Sequence, residues 1–272
     1  MSQTHPALTD KDFGRVGDAI VEAGRIALSF FTEGARTRAA VTLKNDRSPV
    51  TEADIAVDRF LHEALLRIRP DAGWLSEESA DDSARLDRPT VWIVDPIDGT
   101  RAFAEGARDW AVSVALVHAG QPLAGILWAP ALSLRYEARA GAGALRNGLP
   151  IGVSRQAEIA GARVAGPRGM LDMLCERGHA VVAMPREPSL ALRIARVADA
   201  ALDAGLASSN AHDWDIAAAD IILREAGGQL GTLDGARLRY NTRAPVHGRL
   251  IGANSTLAPL LAAALAREKG SP

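Results

Sequence analysis

Cysteine is almost absent from this 272-residue chain. Cys175 is the single one, so no internal disulfide and no cysteine-built zinc cage can form. Lysine is nearly as scarce, with Lys11, Lys44 and Lys269 set against 28 arginines. Together with the wealth of alanine, that bias reads as GC-rich coding rather than as function. Aromatic residues make up only 4%. The tryptophans Trp74, Trp92, Trp110, Trp128 and Trp214 fall in expected strands or at a helix start, so core packing is their default role over a stacking platform. Neither sign of charge is in excess, since 31 basic and 33 acidic side chains leave a net charge of −2. A nucleic-acid polymer is thereby excluded as a partner, because phosphate neutralisation needs a basic run and none is present. No apolar run approaches the about 18 residues that span a bilayer, and Met1 to Phe13 lacks the apolar stretch of a signal peptide. The expectation is a soluble cytoplasmic protein with no membrane partner.

What the chain does have is material for a core. Its 47% of hydrophobic residues excludes a disordered acidic tail, and the length suits one large domain or two lobes, since single cores stop growing at roughly 250 residues. Apolar residues recur at helical spacing over Phe13 to Phe31 and over Ile55 to Ile68. Thr51 and Asp54 form a capping-box pattern ahead of the second helix, and Pro70 ends it. Lys44 to Pro49 has turn composition. Short β-prone segments follow at Trp74 to Ser76, Val91 to Val94, Ala111 to Val117, Ala124 to Trp128 and Leu134 to Ala138. The glycines from Gly141 to Gly148 imitate a dinucleotide fingerprint, but their spacing fails and Asn147-Gly148 signals a hairpin turn. After Ile151 helix and strand alternate. Strands are expected at 162–165, 180–184, 201–206, 229–232 and 249–252, with helices at 168–177, 189–198, 214–226 and 255–267. The expected class is α/β (α+β), with an N-terminal lobe over 1–150 and a C-terminal α/β lobe over 151–272 that share an interface.

The chemistry concentrates in the first lobe. Seven acids and two bases lie between Glu77 and Asp98, a local balance of −5. Asp95 follows the apolar run Val91 to Val94, Pro96 fixes a turn, and Asp98 brings a second carboxylate to the same strand end before Gly99-Thr100 open a short helix. Two carboxylates so close repel each other unless a cation lies between them. Helix capping with Asp98 facing solvent is an equally weighted alternative. A phosphoaspartate mechanism is disfavoured, because the Asp-x-Asp-x-Thr signature it needs is one residue shorter than Asp95 to Thr100. Further ligands are at hand in Glu77, Glu78 and Asp215, although Asp215 at a helix start also suits a cap. Oxygen donors without cysteine or histidine suit Mg²⁺ better than zinc. His212 beside Asp213 reads as a pocket or capping residue rather than an acid/base pair, and Cys175 as a small buried or half-buried helix residue.

At these residues the chain resembles the inositol monophosphatase superfamily of Mg²⁺-dependent, Li⁺-sensitive phosphomonoesterases. Trp92 to Phe103, containing Asp95-Pro96-Ile97-Asp98-Gly99-Thr100, is similar to its first signature block, and Trp214 to Gly228 to its second. Ser48 to Asp54, Leu75 to Ser79 and the Gly141 to Gly148 hairpin are similar as well, so the resemblance spans residues 15 to 255. It implies a layered αβαβα sandwich of the inositol monophosphatase and fructose-1,6-bisphosphatase type, assembled as a homodimer. It further implies Glu77, Asp95 and the Ile97 carbonyl as ligands of a first Mg²⁺, and Asp95, Asp98 and Asp215 as ligands of a second, with Glu77 shared by a third ion. Asp54 and Thr100 would orient the attacking water, Glu78 would stand behind the ligands, and the N–H groups of Gly99 and Thr100 would hold phosphate. Two departures bear on the substrate, a small phosphorylated metabolite. Ala102 stands where the inositol enzymes carry Asn and many bisphosphate nucleotidases carry Glu, and Ser208 where the inositol enzymes place a ring-contacting Glu. Ser189 to Arg193 and Ala211 to Asp215 look more like the bacterial 3′(2′),5′-bisphosphate nucleotidases. Inositol-1-phosphate and histidinol-phosphate hydrolysis are the alternatives, and a catalytically idle phosphate or metal binder is the rival of another class.

Overall fold

The structure is a computed structural model that describes residues 8–43 and 49–266. Residues 44–48 of the turn expected over Lys44 to Pro49 and the last residue of the helix expected over 255–267 lie outside the described residues, and Pro49 belongs to a strand instead. Helix α1 (Asp10–Phe30) starts where the Thr9 side chain accepts the Asp12 N–H. Strands β1 (Val41–Leu43) and β2 (Pro49–Thr51) pair antiparallel and lead into α2 (Glu52–Ile68), which carries the expected capping box. The next stretch lays down most of one sheet: β3 (Gly73–Ser76), β4 (Thr90–Asp98), the short helix α3 (Thr100–Glu105), β5 (Ala111–His118), β6 (Gln121–Ala129), β7 (Leu134–Arg139), β8 (Ala144–Arg146) and β9 (Leu149–Pro150). These seven strands pair in sequence order, parallel at β3–β4 and antiparallel thereafter. Asn147 and Gly148, both at positive φ, turn β8 into β9, as the Asn-Gly pair foretells for a two-residue hairpin.

The rest of the chain builds a second sheet and its helices. In order come β10 (Arg163–Ala165), α4 (Arg168–Glu176), β11 (Val182–Ala183), α5 (Leu190–Ala198), β12 (Ala204–Ala207), β13 (Ala211–His212), α6 (Asp213–Glu225), β14 (Gly228–Thr232), β15 (Val246–His247), β16 (Leu250–Asn254) and α7 (Leu257–Leu265). Five of these strands pair as β11–β10–β12–β16–β14, and β13 with β15 makes a separate two-stranded pair.

Packing stacks these parts into five layers. In β4 the pleat sends alternate residues to opposite faces. Trp92 and Val94 join Ile20, Val57, Leu61 and Leu65 of α1 and α2, while Val91 and Ile93 join Ile194, Ile221 and Ile222 of α5 and α6. The five-stranded sheet covers the other side of α5 and α6, and α4 with α7 closes the far side through Leu174, Leu206, Leu257 and Leu261. The result is the expected αβαβα sandwich. Helix α6 sits in the middle layer with Ala217, Ala218 and Ala219 all buried. It touches the sheet directly: a Cβ on Gly125 of β6 would lie 2.9 Å from the Ala218 Cα and 2.8 Å from its carbonyl oxygen.

One side-chain expectation needs adjusting. Cys175 is exposed, because α4 turns Met170 and Leu174 inward and the next residue on a helix points about 100° away. Trp92 and Trp110 are core residues as expected, and Trp214, half-buried, packs against the core while also stacking on His212 with ring centroids 4.5 Å apart.

Candidate active site

In a regular strand, residues three apart face opposite sides of the sheet, so Asp95 and Asp98 should diverge. They converge because β4 bulges between them. Asp95 pairs with Ser113 and Asp98 with Ala111, which leaves one extra residue on β4 and re-aims its side chains. Asp95 Oδ1 accepts the Ile97 N–H at 3.0 Å and stabilises the turn. Gly99 then adopts a left-handed φ of +97° and opens α3 without a side-chain cap, so the capping role weighed for an aspartate here is not taken up at α3.

Asp98 is buried and caps a different helix. Its Oδ2 accepts the Ser189 hydroxyl at 2.5 Å and the Ala191 N–H at 2.6 Å, and its Oδ1 accepts the Leu190 N–H at 3.3 Å, all at the start of α5. Asp215 likewise does two things. Its Oδ2 accepts the His212 N–H at 2.8 Å, making a capping box for α6, yet ligand oxygens of Asp95, Asp98 and Asp215 all lie within 4.8 Å of one another. Capping and clustering are thus compatible. Glu77 follows β3, whose parallel register sets Ser76 beside Val94, and the Glu77 N–H reaches the Val94 carbonyl at 3.4 Å. Its charge acts on Asp95 and both line the same cavity, but Glu77 lies outside the tight group of ligand oxygens formed by Asp95, Asp98 and Asp215.

The electrostatics fit this crowding. Burial, then the charges of Glu77, Asp98 and Asp215, push Asp95 well above the carboxylate range. Asp215 is raised in the same way by burial and Asp98. Asp98 rises only to about 6, because the Ser189, Ala191 and Leu190 donors offset part of its burial. Like charges held this close out of water favour a bound cation. The donors are hard carboxylate oxygens with no cysteine or histidine among them, which suits Mg²⁺ rather than a softer metal.

Beside the cluster stands a second arrangement. Asp54, in the first turn of α2, accepts from the Thr51 N–H at 2.8 Å and the Thr51 hydroxyl at 2.6 Å through Oδ2. The Thr100 hydroxyl lies 3.2 Å from Asp54 Oδ1 and 2.9 Å from the Ile97 carbonyl oxygen. Burial raises Asp54 to about 6 against the pull of the Thr51 donors, a value suited to accepting a proton near neutral pH.

Glu77, Asp95, Asp98, Gly99, Thr100 and Asp215 line one cavity of about 530 Å³. A second cleft of about 630 Å³ adjoins it and shares Arg186, Pro188, Leu190 and Asp215. Ser208 is exposed in this second cleft, together with Arg168 and the buried Arg193. Arg193 is occupied by the Leu206 and Glu187 carbonyls, and Arg168 faces Asp172 at 3.7 Å. Arg186 makes no hydrogen bond or ion pair with another described residue and lines both spaces. Sequence reasoning passed over Arg186 and the role of Ser189. A serine ahead of an apolar helix marks Ser189 as an N-cap, but nothing local marks its partner.

Comparison with known proteins agrees with this geometry. A sequence profile described as the inositol monophosphatase family matches residues 15–269. The chain is 37% identical over 210 residues to a histidinol-phosphatase of Mycobacterium tuberculosis, covering 72% of this chain and 78% of that one. It is 31% identical over 258 residues to the 3′(2′),5′-bisphosphate nucleotidase CysQ of Aggregatibacter actinomycetemcomitans, covering 88% and 90%. It is 32% identical over 239 residues to an inositol-1-monophosphatase of Mesorhizobium japonicum, covering 80% and 84%. Among solved structures, the extragenic suppressor protein suhB of Bartonella henselae superposes with a TM-score of 0.83 at 28% identity, covering 95% of this chain and 99% of that one.

Proposed function

The chain belongs to the inositol monophosphatase family and is a phosphoric monoester hydrolase, and from that premise we propose that it is a Mg²⁺-dependent 3′(2′),5′-bisphosphate nucleotidase. The class of reaction rests on the convergence of Asp95, Asp98 and Asp215. Two or three Mg²⁺ ions would be held by Glu77, Asp95, the Ile97 carbonyl, Asp98 and Asp215. Bound there, such ions lower the pKa of water and neutralise charge on the phosphoryl oxygens. The protein's own part in the proton transfer falls to Thr100 and Asp54. The Thr100 hydroxyl gives its proton to Asp54 Oδ1 and takes one from the attacking water, whose oxygen bonds to phosphorus. The phosphorus–ester bond breaks with its electron pair on the alcohol oxygen, which takes a proton from solvent, and Asp54 then releases to solvent the proton it accepted. The N–H groups of Gly99 and Thr100 face the phosphate oxygens in this reading.

The choice of substrate rests on the charge of the second cleft. Arginines Arg168, Arg186 and Arg193 line it, and the one acid there, Asp215, belongs to the metal cluster. A second phosphate is attracted to such a wall, whereas the cationic amine of histidinol phosphate is repelled. Ser208 brings no negative charge to this cleft. In this reading the lobe over 1–150 supplies most metal ligands, and the lobe over 151–272 supplies Asp215 and the substrate contacts. A cytoplasmic homodimer is the matching assembly. No described helix is long and apolar enough to cross a membrane.

The test compares kcat/KM for adenosine 3′,5′-bisphosphate, inositol 1-phosphate, histidinol phosphate and fructose 1,6-bisphosphate, with and without chelator. The nucleotide should lead and chelation should abolish turnover, as should Asp95→Asn. Parity among the four substrates overturns the choice of nucleotide, and turnover that survives both chelation and Asp95→Asn overturns the mechanism.

A further inference from the structure

Glu77 lies in a bend rather than in a strand. Residues 77–79 follow the end of β3 and belong to no helix or sheet, and the backbone anchors of Glu77 and Glu78 are long, at 3.4 Å to the Val94 carbonyl and to Ser76 Oγ. Asp58 grips both ends of the bend. This buried residue of α2 accepts the Ser76 hydroxyl on Oδ1 at 2.5 Å and the Ser79 hydroxyl on Oδ2 at 2.6 Å. The two serines bracket Glu77-Glu78, so both ends of the bend are fastened to one carboxylate. Asp58 lies one helical turn after Asp54 on the same face of α2. A single rigid helix thus carries the residue that bonds Thr100 and the residue that fastens the Glu77 bend.

The chemistry of this clamp requires a carboxylate. Each serine hydroxyl already accepts one bond, Ser79 from the Trp74 indole N–H at 3.2 Å and Ser76 from the Glu78 N–H at 3.4 Å. Each has one proton left to give. Asp58 offers an acceptor to both. An asparagine offers one acceptor oxygen, so one of the two hydroxyl protons would face its amide N–H group and be left without an acceptor. We propose that Asp58 is a positioning residue for the cation site, which fixes the Glu77 carboxylate against Asp95 through Ser76 and Ser79. The inference rests on the reading of Glu77 as a metal ligand and extends it to residues that do not face the cavity. Losing a group that orients a ligand typically weakens metal binding about 10- to 100-fold.

The test is Mn²⁺ binding followed by electron paramagnetic resonance on the intact protein, with no substrate present, for wild type, Asp58→Asn and Ser79→Ala. Metal-free melting curves are recorded on the same samples. The expected result is Mn²⁺ affinity lowered about 10- to 100-fold in Asp58→Asn and several-fold in Ser79→Ala, with metal-free melting temperatures close to wild type. Unchanged affinity in a folded Asp58→Asn overturns the proposal. So does a lowered melting temperature with no change in affinity, which marks a purely structural bond. If Asp58→Asn does not fold, Ser79→Ala decides alone, and wild-type affinity there overturns it. Failure of the metal-site reading itself looks different, because wild-type protein would then bind no Mn²⁺ at all.

Discussion

The hydroxyl of Ser189 donates to Asp98 Oδ2 at 2.5 Å, joining two residues 91 positions apart in the chain. A carboxylate of the first sheet thereby becomes the cap of a helix in the middle layer. Ser189 also caps α5 itself, accepting the Leu192 N–H at 3.0 Å. Ser189→Ala should cost about 1–3 kcal/mol in urea unfolding, from a lost cap and an unsatisfied buried acceptor. The Ser189 bond also holds the Asp98 pKa down. Its loss should weaken Mg²⁺ activation more at pH 6 than at pH 8, since a proton then competes better for Asp98. Equal weakening at both pH values would separate the bond from metal binding.

The metal-free protein should be more heat-stable in mild acid than at neutral pH. Burial is the main cause that raises Asp54, Asp98 and Asp220 to about 6 in the folded state, from the ordinary 3.8 of an aspartate. Asp95 and Asp215 are raised further. Between pH 4 and 6 the folded protein therefore holds protons that the unfolded chain has released, so stability falls as pH rises through that window. Melting without metal should come several degrees higher at pH 5 than at pH 7.5. Added Mg²⁺ should raise the melting temperature more at pH 7.5, where its ligands are ionised at less cost. Differential scanning calorimetry at the two pH values checks both signs.

Replacing Thr100 by valine keeps its shape and removes its hydroxyl. The proton route from water to Asp54 then has no middle member. Turnover should fall by about 10²- to 10⁴-fold, the range of a lost general-base interaction, while Mn²⁺ affinity stays within a few-fold. Thr100→Ser should recover most of the rate. A large loss of metal affinity in Thr100→Val would make the hydroxyl a support for the Ile97 carbonyl instead.

Arg186→Ala tests how the second cleft discriminates. KM for adenosine 3′,5′-bisphosphate should rise about tenfold or more, corresponding to the roughly 1.5–3 kcal/mol of a hydrogen bond to a charged group, with kcat little changed. KM for inositol 1-phosphate should hardly move. If both substrates suffer equally, Arg186 handles the scissile phosphate rather than a second one.

These residues also show what a sequence displays and what it withholds. The capping box of Thr51 and Asp54, the stop at Pro70 and the Asn147-Gly148 hairpin were legible because their chemistry is complete within four residues. The carboxylates Asp95 and Asp98 were legible because an apolar run announces a strand end. Their convergence at one strand end was legible from the Pro96 turn, but the device that produces it was not, since the bulge opposite Ser113 and Ala111 depends on pairing with a distant strand. Asp58 reads as an ordinary polar position of an amphipathic helix until the fold delivers Ser76 and Ser79 to it. Arg186 has no local pattern at all. Its meaning comes from two cavities that meet only after both sheets are stacked.

Helix α6 presses directly on Gly125, the bulge in β4 aims Asp95 and Asp98 together, and Glu77 hangs from a bend tied to α2. No two of these arrangements come from one stretch of chain, and no partly folded fragment contains the full set of oxygens. A cation that needs them together recognises only the completed topology. A cation bound there would deepen the native well by mass action and should slow unfolding rather than change the rate of folding. Such an ion would seal a finished molecule rather than serve as a template for building one.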